Sequence, residues 1–164
     1  MPNICFVVRC PELLHYCILG QLSQQNMTPV AFTASLSKTL TNVGSDQHIV
    51  FDNVITNVGN AYLSSHGHFI TPVKGVYIFF VSLTNVPEHS ASAALIQNGQ
   101  WIGHVLAHGS ASNSGLYVTS TLASTVQLDI GDEVWVQNTQ SFSDVEEIDG
   151  YNWSYFTGHL VNAN

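Results

Sequence analysis

A chain of 164 residues is long enough for one domain with its own hydrophobic core, and needs neither disulfides nor a metal to hold it. Eleven acidic residues against Arg9, Lys38 and Lys74 give a net charge of −8, which would repel a nucleic-acid backbone and offers nothing to anionic lipid headgroups. Charged residues make up only 9%, so the polar surface must come from Ser, Thr, Asn and Gln, which suits a neutral sugar or a cation as ligand.

Residues 1–28 differ in character from the rest. Met1 to Gly20 is fairly apolar, but Arg9, Pro11, Glu12 and His15 interrupt it where a secretory core would be continuous, and it is too broken to span a membrane. A signal-like leader, a short segment packed beside the domain and a mis-assigned start remain open as readings. Cys5, Cys10 and Cys17 all lie here without zinc-site spacing or His partners, so unpaired or interchain thiols are expected. Asn26-Met27-Thr28 fits the glycosylation acceptor pattern, with Pro29 directly after it.

From Pro29 onward, short apolar or alternating runs are separated by Gly, Asn, Asp and Ser clusters, and no window sustains helical periodicity. The chain reads as all-β, with residues 29–164 as its domain. Strands are predicted over Val30–Leu36, His48–Phe51, Tyr62–Ile70, Val76–Thr84, Ala91–Gln97, Trp101–Ala107, Leu116–Leu128, Glu133–Gln137 and Trp153–Val161. The run from Gly75 to Leu83 is the most apolar of all, and its apolar side chains stand at successive positions, so both faces should be covered, one by a facing sheet and the other by a second chain. Asn98-Gly99 predicts a two-residue hairpin, because both positions tolerate positive φ. Residues 129–132 (Asp-Ile-Gly-Asp) supply another turn. This order of short strands points to a two-sheet jelly-roll sandwich of about ten antiparallel strands. No Gly-X-Y run occurs in the sequence.

The punctuation of these strands resembles a known pattern. Residues 30–34 (Val-Ala-Phe-Thr-Ala), then Val50-Phe51-Asp52, Val54, Asn57, Gly59 and Tyr62, then Gly67, Phe69, Pro72, Gly75, Tyr77 and Phe79 follow it in order. Residues 131–136 (Gly-Asp-Glu-Val-Trp-Val) and 154–160 (Ser-Tyr-Phe-Thr-Gly-His-Leu) complete it. Over about residues 29–161 the chain is similar to the globular head domain of complement component 1q, a jelly-roll of the tumour necrosis factor superfamily, and without a collagen-like run it resembles the stalkless members. The resemblance implies a secreted homotrimer whose loops recognise ligands, and no enzyme. It implies a lectin-like module of innate immunity, reading carbohydrate or other microbial surface patterns. The alternative it leaves open is a trimeric protein-binding ligand, or an adhesion or matrix component, that engages a cell-surface receptor. Tyr62, Tyr77, Phe79, Trp135 and Phe156 are expected to divide between the sandwich core and a trimer seam. The calcium site that several relatives hold is not carried over, since His108 to Thr121 contains no carboxylate.

Candidate ligand-binding residues are Asp144, Glu146, Glu147, Asp149, Tyr151 and Asn113, in loops spanning Asn85–Ser90, His108–Ser114 and Ser141–Tyr151. The four acids within six residues suit either a solvated loop or calcium, without the alternating pattern of an EF-hand. No other cofactor is expected. His66-Gly67-His68 would set two imidazoles on one strand face, the arrangement of metal-binding cupins, but no third ligand follows. In a trimer the same pair would meet near the axis. Asn152-Trp153-Ser154 is a second glycosylation pattern whose use depends on exposure.

Overall fold

The computed structural model describes residues 29–109, 115–139 and 146–164. Ten strands follow one another: β1 (Ala31–Ser35), β2 (Asn53–Val58), β3 (Tyr62–Leu63), β4 (His68–Ile70), β5 (Gly75–Thr84), β6 (Ala91–Gln97), β7 (Gln100–Ala107), β8 (Thr119–Leu128), β9 (Glu133–Asn138) and β10 (Tyr155–Ala163). They form two five-stranded sheets, ordered β2-β1-β10-β5-β8 and β3-β4-β9-β6-β7, with every ladder antiparallel. Residues 1–28, and with them Cys5, Cys10, Cys17 and the Asn26 pattern, lie outside the described residues, as do Asn113 and Asp144.

Alternation along each strand sends one set of side chains between the sheets. Phe32, Tyr62, Phe69, Tyr77, Phe79 and Phe156 are buried there and touch ring to ring. Phe32 lies flat on Tyr62, with centroids 4.7 Å apart, while Phe156 meets it edge-on at 4.8 Å, the geometry that ring quadrupoles favour. Gly158 makes room for this cluster, since a Cβ there would lie 2.4 Å from the Phe79 ring. Four of the five aromatic residues expected at core or seam therefore belong to the core. Trp135 is not in the core: on β9, Val134 and Val136 take the inward positions, which turns Trp135 to the outer face of the second sheet.

β5 sits between β10 and β8 and carries both apolar faces expected of it. Tyr77, Phe79, Val81 and Leu83 point into the core, while Val76, Ile78 and Phe80 are half-buried on the opposite side. Across the ladders, those three share their face with Thr157 and His159 of β10 and with Ala123, Thr125 and Gln127 of β8.

Two expectations shift. Tyr62–Ile70 is two strands, not one, because residues 64–67 turn and Gly67 takes φ +74°, where a Cβ would lie 3.0 Å from the Ile49 carbonyl oxygen. His48–Phe51 is not a strand but a strap held to β9 by one bridge, His48 to Gln137. The strand in that region is β2, which is exposed for most of its length and so carries no clear alternation. The Asn98-Gly99 turn joins β6 to β7 as expected, with φ +48° and +82°.

Candidate functional site

The C-terminal end of β5, the N-terminal ends of β8 and β10, and the loop before β10 meet at one end of the first sheet. Thr84 is the junction. Its Oγ1 lies 2.8 Å from Thr119 Oγ1 and donates to the Trp153 carbonyl, its N–H donates to Ser154 Oγ, and its carbonyl accepts from Asp149 N–H. Thr39 donates to Asp149 Oδ1 at 2.9 Å, fixing that carboxylate from the other side. Asn85, fully buried, donates to the His89 carbonyl and accepts from Val118 N–H, so the entry to β8 is tied to the exit of β5.

Tyr151 and Asn152 both take positive φ, and Trp153 N–H closes the turn onto the Gly150 carbonyl. Asn152 Oδ1 accepts from Ser35 Oγ at 2.6 Å and from Asn53 Nδ2 at 2.9 Å, which anchors the turn to β1 and β2. The result is an open cavity of about 310 Å3 lined by Thr84, Tyr117, Thr119, Asp149 and Trp153. Its two rings are presented to solvent, Tyr117 and Trp153 each being 63% exposed, and Tyr151 projects nearby in the same turn at 71%. Two hydroxyls, one carboxylate and two aromatic faces in a cavity of that size fit a small polar ligand with an apolar side.

The candidate residues distribute unevenly about this cavity. Asp149 lines it, whereas Tyr151, in the turn between Asp149 and Trp153, is not one of its lining residues. Glu146 instead turns inward, buried, and accepts from the Ser92 hydroxyl at 2.7 Å. Glu147 faces His89 at 3.9 Å. The described acids are thus committed to separate partners, and no group of three or more potential metal ligands occurs among the described residues. Ser154 of the second glycosylation pattern is fully buried. Thr84, Tyr117, Thr119 and Trp153 fall just outside the loop windows chosen from the sequence; the usable signal was an aromatic residue at each loop-to-strand boundary.

A second constellation lies on the outer face of the other sheet. His68, the first residue of β4, stacks on Trp135 with centroids 4.8 Å apart and planes 5° from parallel. Its Nδ1 lies 3.0 Å from Glu133 Oε2, and its Nε2 lies 3.0 Å from Nδ1 of His48 on the strap. Burial and the neighbouring His68 hold the His48 pKa below the ordinary histidine value. His66 is not part of this group: it sits in the exposed turn with its ring against Ser65. The expected same-face pair fails because Gly67 turns the chain before β4 begins. Neither histidine lies on the sheet containing β5.

Residues 31–161 match the family model described as the C1q domain. Human multimerin-2 is 32% identical over 122 residues, 74% of this chain but 12% of that protein. Mouse complement C1q tumor necrosis factor-related protein 2 is 33% identical over 118 residues, 71% of this chain and 38% of the relative. The chain thus spans well under half the length of these curated relatives. Among solved structures, the globular domain of zebrafish complement 1qA protein superposes with a TM-score of 0.65 at 18% identity, covering 82% of this chain and 99% of that one. The Eiger TNF of S. frugiperda gives 0.65 at 14%, covering 83% and 93%. These two show the shared jelly-roll. The strand order, the aromatic core and the extent of the match together place this chain in the C1q domain family, a family of non-enzymatic recognition and signalling domains.

Proposed function

We propose that the protein is a secreted, homotrimeric pattern-recognition module that binds carbohydrate on microbial surfaces. The cavity beneath Tyr117 and Trp153 carries this reading. A sugar ring has an apolar C–H face, which stacks on an indole or phenol, and an edge of hydroxyls. Thr119, exposed at the start of β8, is positioned for those hydroxyls, with Thr84 buried behind it and bonded to it, and the Asp149 carboxylate accepts from them more strongly than a neutral group would. A negatively charged chain with few cations favours neutral or amino sugars over sulfated or sialylated ones.

The trimer rests on the outer face of the first sheet. Val76, Ile78 and Phe80, with Ala123 beside them, form an apolar band that a lone sandwich leaves half-wet, and closing three copies over it removes that surface from water. Thr84 and Thr119 have the same alternation as Phe80 and Ala123, so the cavity opens at the end of that band and three copies would gather three weak sites about one axis. Glycan-array binding by the wild type, lost in Trp153→Ala while the oligomer persists, is the expected result. Absence of binding above background removes the carbohydrate reading.

A second reading, a trimeric ligand or matrix component that engages a receptor protein, is favoured by exposed Trp101 and Leu106 on the edge strand β7. Capture of a cell-surface protein that survives glycosidase treatment, and is abolished by Trp101→Ala, would select it. Among the described residues no helix is long and apolar enough to cross a membrane.

A further inference from the structure

We propose that His48 and His68 form a two-imidazole site for a late first-row divalent ion, Cu2+ foremost, on the outer face of the second sheet. The chemistry follows from hydrogen-bond roles. An ionised carboxylate only accepts, so the 3.0 Å contact with Glu133 puts the His68 proton on Nδ1 and makes Nε2 the acceptor. Its lone pair is aimed at His48 Nδ1, 3.0 Å away. In the neutral pair His48 Nδ1 carries the hydrogen between them. An ion entering beside the N–N line takes both nitrogens once His48 changes tautomer, its hydrogen passing to Nε2 through solvent, with no net loss of protons.

Two metal–nitrogen bonds of about 2.0–2.1 Å across a 3.0 Å separation enclose an angle of roughly 95°, the cis angle of a tetragonal site rather than the wider tetrahedral one. That geometry suits Cu2+ or Ni2+ with water at the other positions, and Cu2+ leads in affinity for nitrogen ligands.

The ligands are held in place before any ion arrives. Glu133 orients His68 from behind, as carboxylates do behind metal-bound imidazoles, and the Trp135 ring supports the whole face of it. His48 is fixed by the strap: Ile49 N–H donates to the Val136 carbonyl, Asp46 N–H to the Asn138 carbonyl, and Gln137 Nε2 to Asp46 Oδ1. The side chains on this side of the strap, Asp46, Glu133 and Gln137, include no cation, and the net charge of −8 favours a positive ligand. The site lies on a different sheet from the Tyr117–Trp153 cavity and does not depend on it.

The test is titration of the full chain, its cysteines alkylated, with Cu2+ alone, read by indole fluorescence and electron paramagnetic resonance. One equivalent per chain should quench Trp135 and give a tetragonal spectrum with hyperfine structure from two nitrogens. His48→Gln and His68→Gln should each abolish that two-nitrogen signal, whereas His66→Gln should leave it intact. Glu133→Gln keeps an acceptor for Nδ1 but removes the charge, and should weaken binding roughly tenfold or more. Melting curves without metal check that the variants are folded. The proposal is overturned if no equivalent binds, or if the two-nitrogen signal survives in either histidine variant.

Discussion

At the scale of single residues, much of the fold's specificity sits in polar atoms attached to buried or anchored groups. Tyr62 is buried against Phe32 and donates its hydroxyl to the Phe51 carbonyl at 3.0 Å; burial raises its pKa well above the ordinary phenol value despite that bond. Tyr62→Phe should therefore cost about 1 kcal/mol in denaturant unfolding, the usual worth of one buried hydrogen bond. Gly158→Ala should cost more, about 1–3 kcal/mol, because its methyl group meets the Phe79 and Phe32 rings with nowhere to relax. Asp52 gives a pH signature. Partial burial raises its carboxyl, but donation from the Ser37 hydroxyl and N–H outweighs this, and its own N–H and the Lys38 charge add to it, so its pKa is held below the ordinary value. A depressed carboxyl stabilises the fold above its unfolded pKa and loses that contribution as pH falls through the folded one. Asp52→Asn should accordingly melt earlier at pH 7 and converge with the wild type as pH falls through the depressed folded pKa.

At the scale of elements, the two faces of β5 make opposite predictions. Phe79→Asp buries an unpaired charge in the aromatic core and should prevent folding. Phe80→Asp, one residue along on the other face, should leave a folded monomer, measured as retained near-ultraviolet circular dichroism with the mass of one chain. This strand was legible in sequence because apolar residues at successive positions have no other use in a chain this short of membrane-length runs. β6, β7 and their Asn98-Gly99 turn were legible for a local reason, since positive φ at two adjacent positions is written into the residue types. β2 was not: Asn53–Val58 is largely exposed, and its pairing with β1 shifts register between Thr33 and Ala34, so no period-two pattern survives. The break between β3 and β4 lay at Gly67, where a Cβ would meet the Ile49 carbonyl and Val50 of the strap, a contact between segments that no local window contains. The functional sites suffer the same limit. Thr84, Tyr117, Thr119, Asp149 and Trp153 become neighbours only when β5, β8 and β10 pair, and His48, His68 and Glu133 only when the strap and β4 settle on β9.

At the scale of the molecule, two surfaces meet on the first sheet. In the proposed function, the band of Val76, Ile78 and Phe80 closes against copies of the chain, and the cavity with Tyr117 and Trp153 at its end takes the ligand. Because the two are contiguous, ligand affinity should depend on assembly: Phe80→Asp should lower apparent affinity for a multivalent glycan surface far more than for a free monosaccharide, since avidity needs all three sites and single-site contacts do not. Surface plasmon resonance against both formats measures that ratio. The most direct check of the central claim is the native mass of the purified chain at micromolar concentration. One species of three times 17.9 kDa is expected, falling to a single subunit in Phe80→Asp; a wild-type protein that is already a stable single subunit would overturn the trimer.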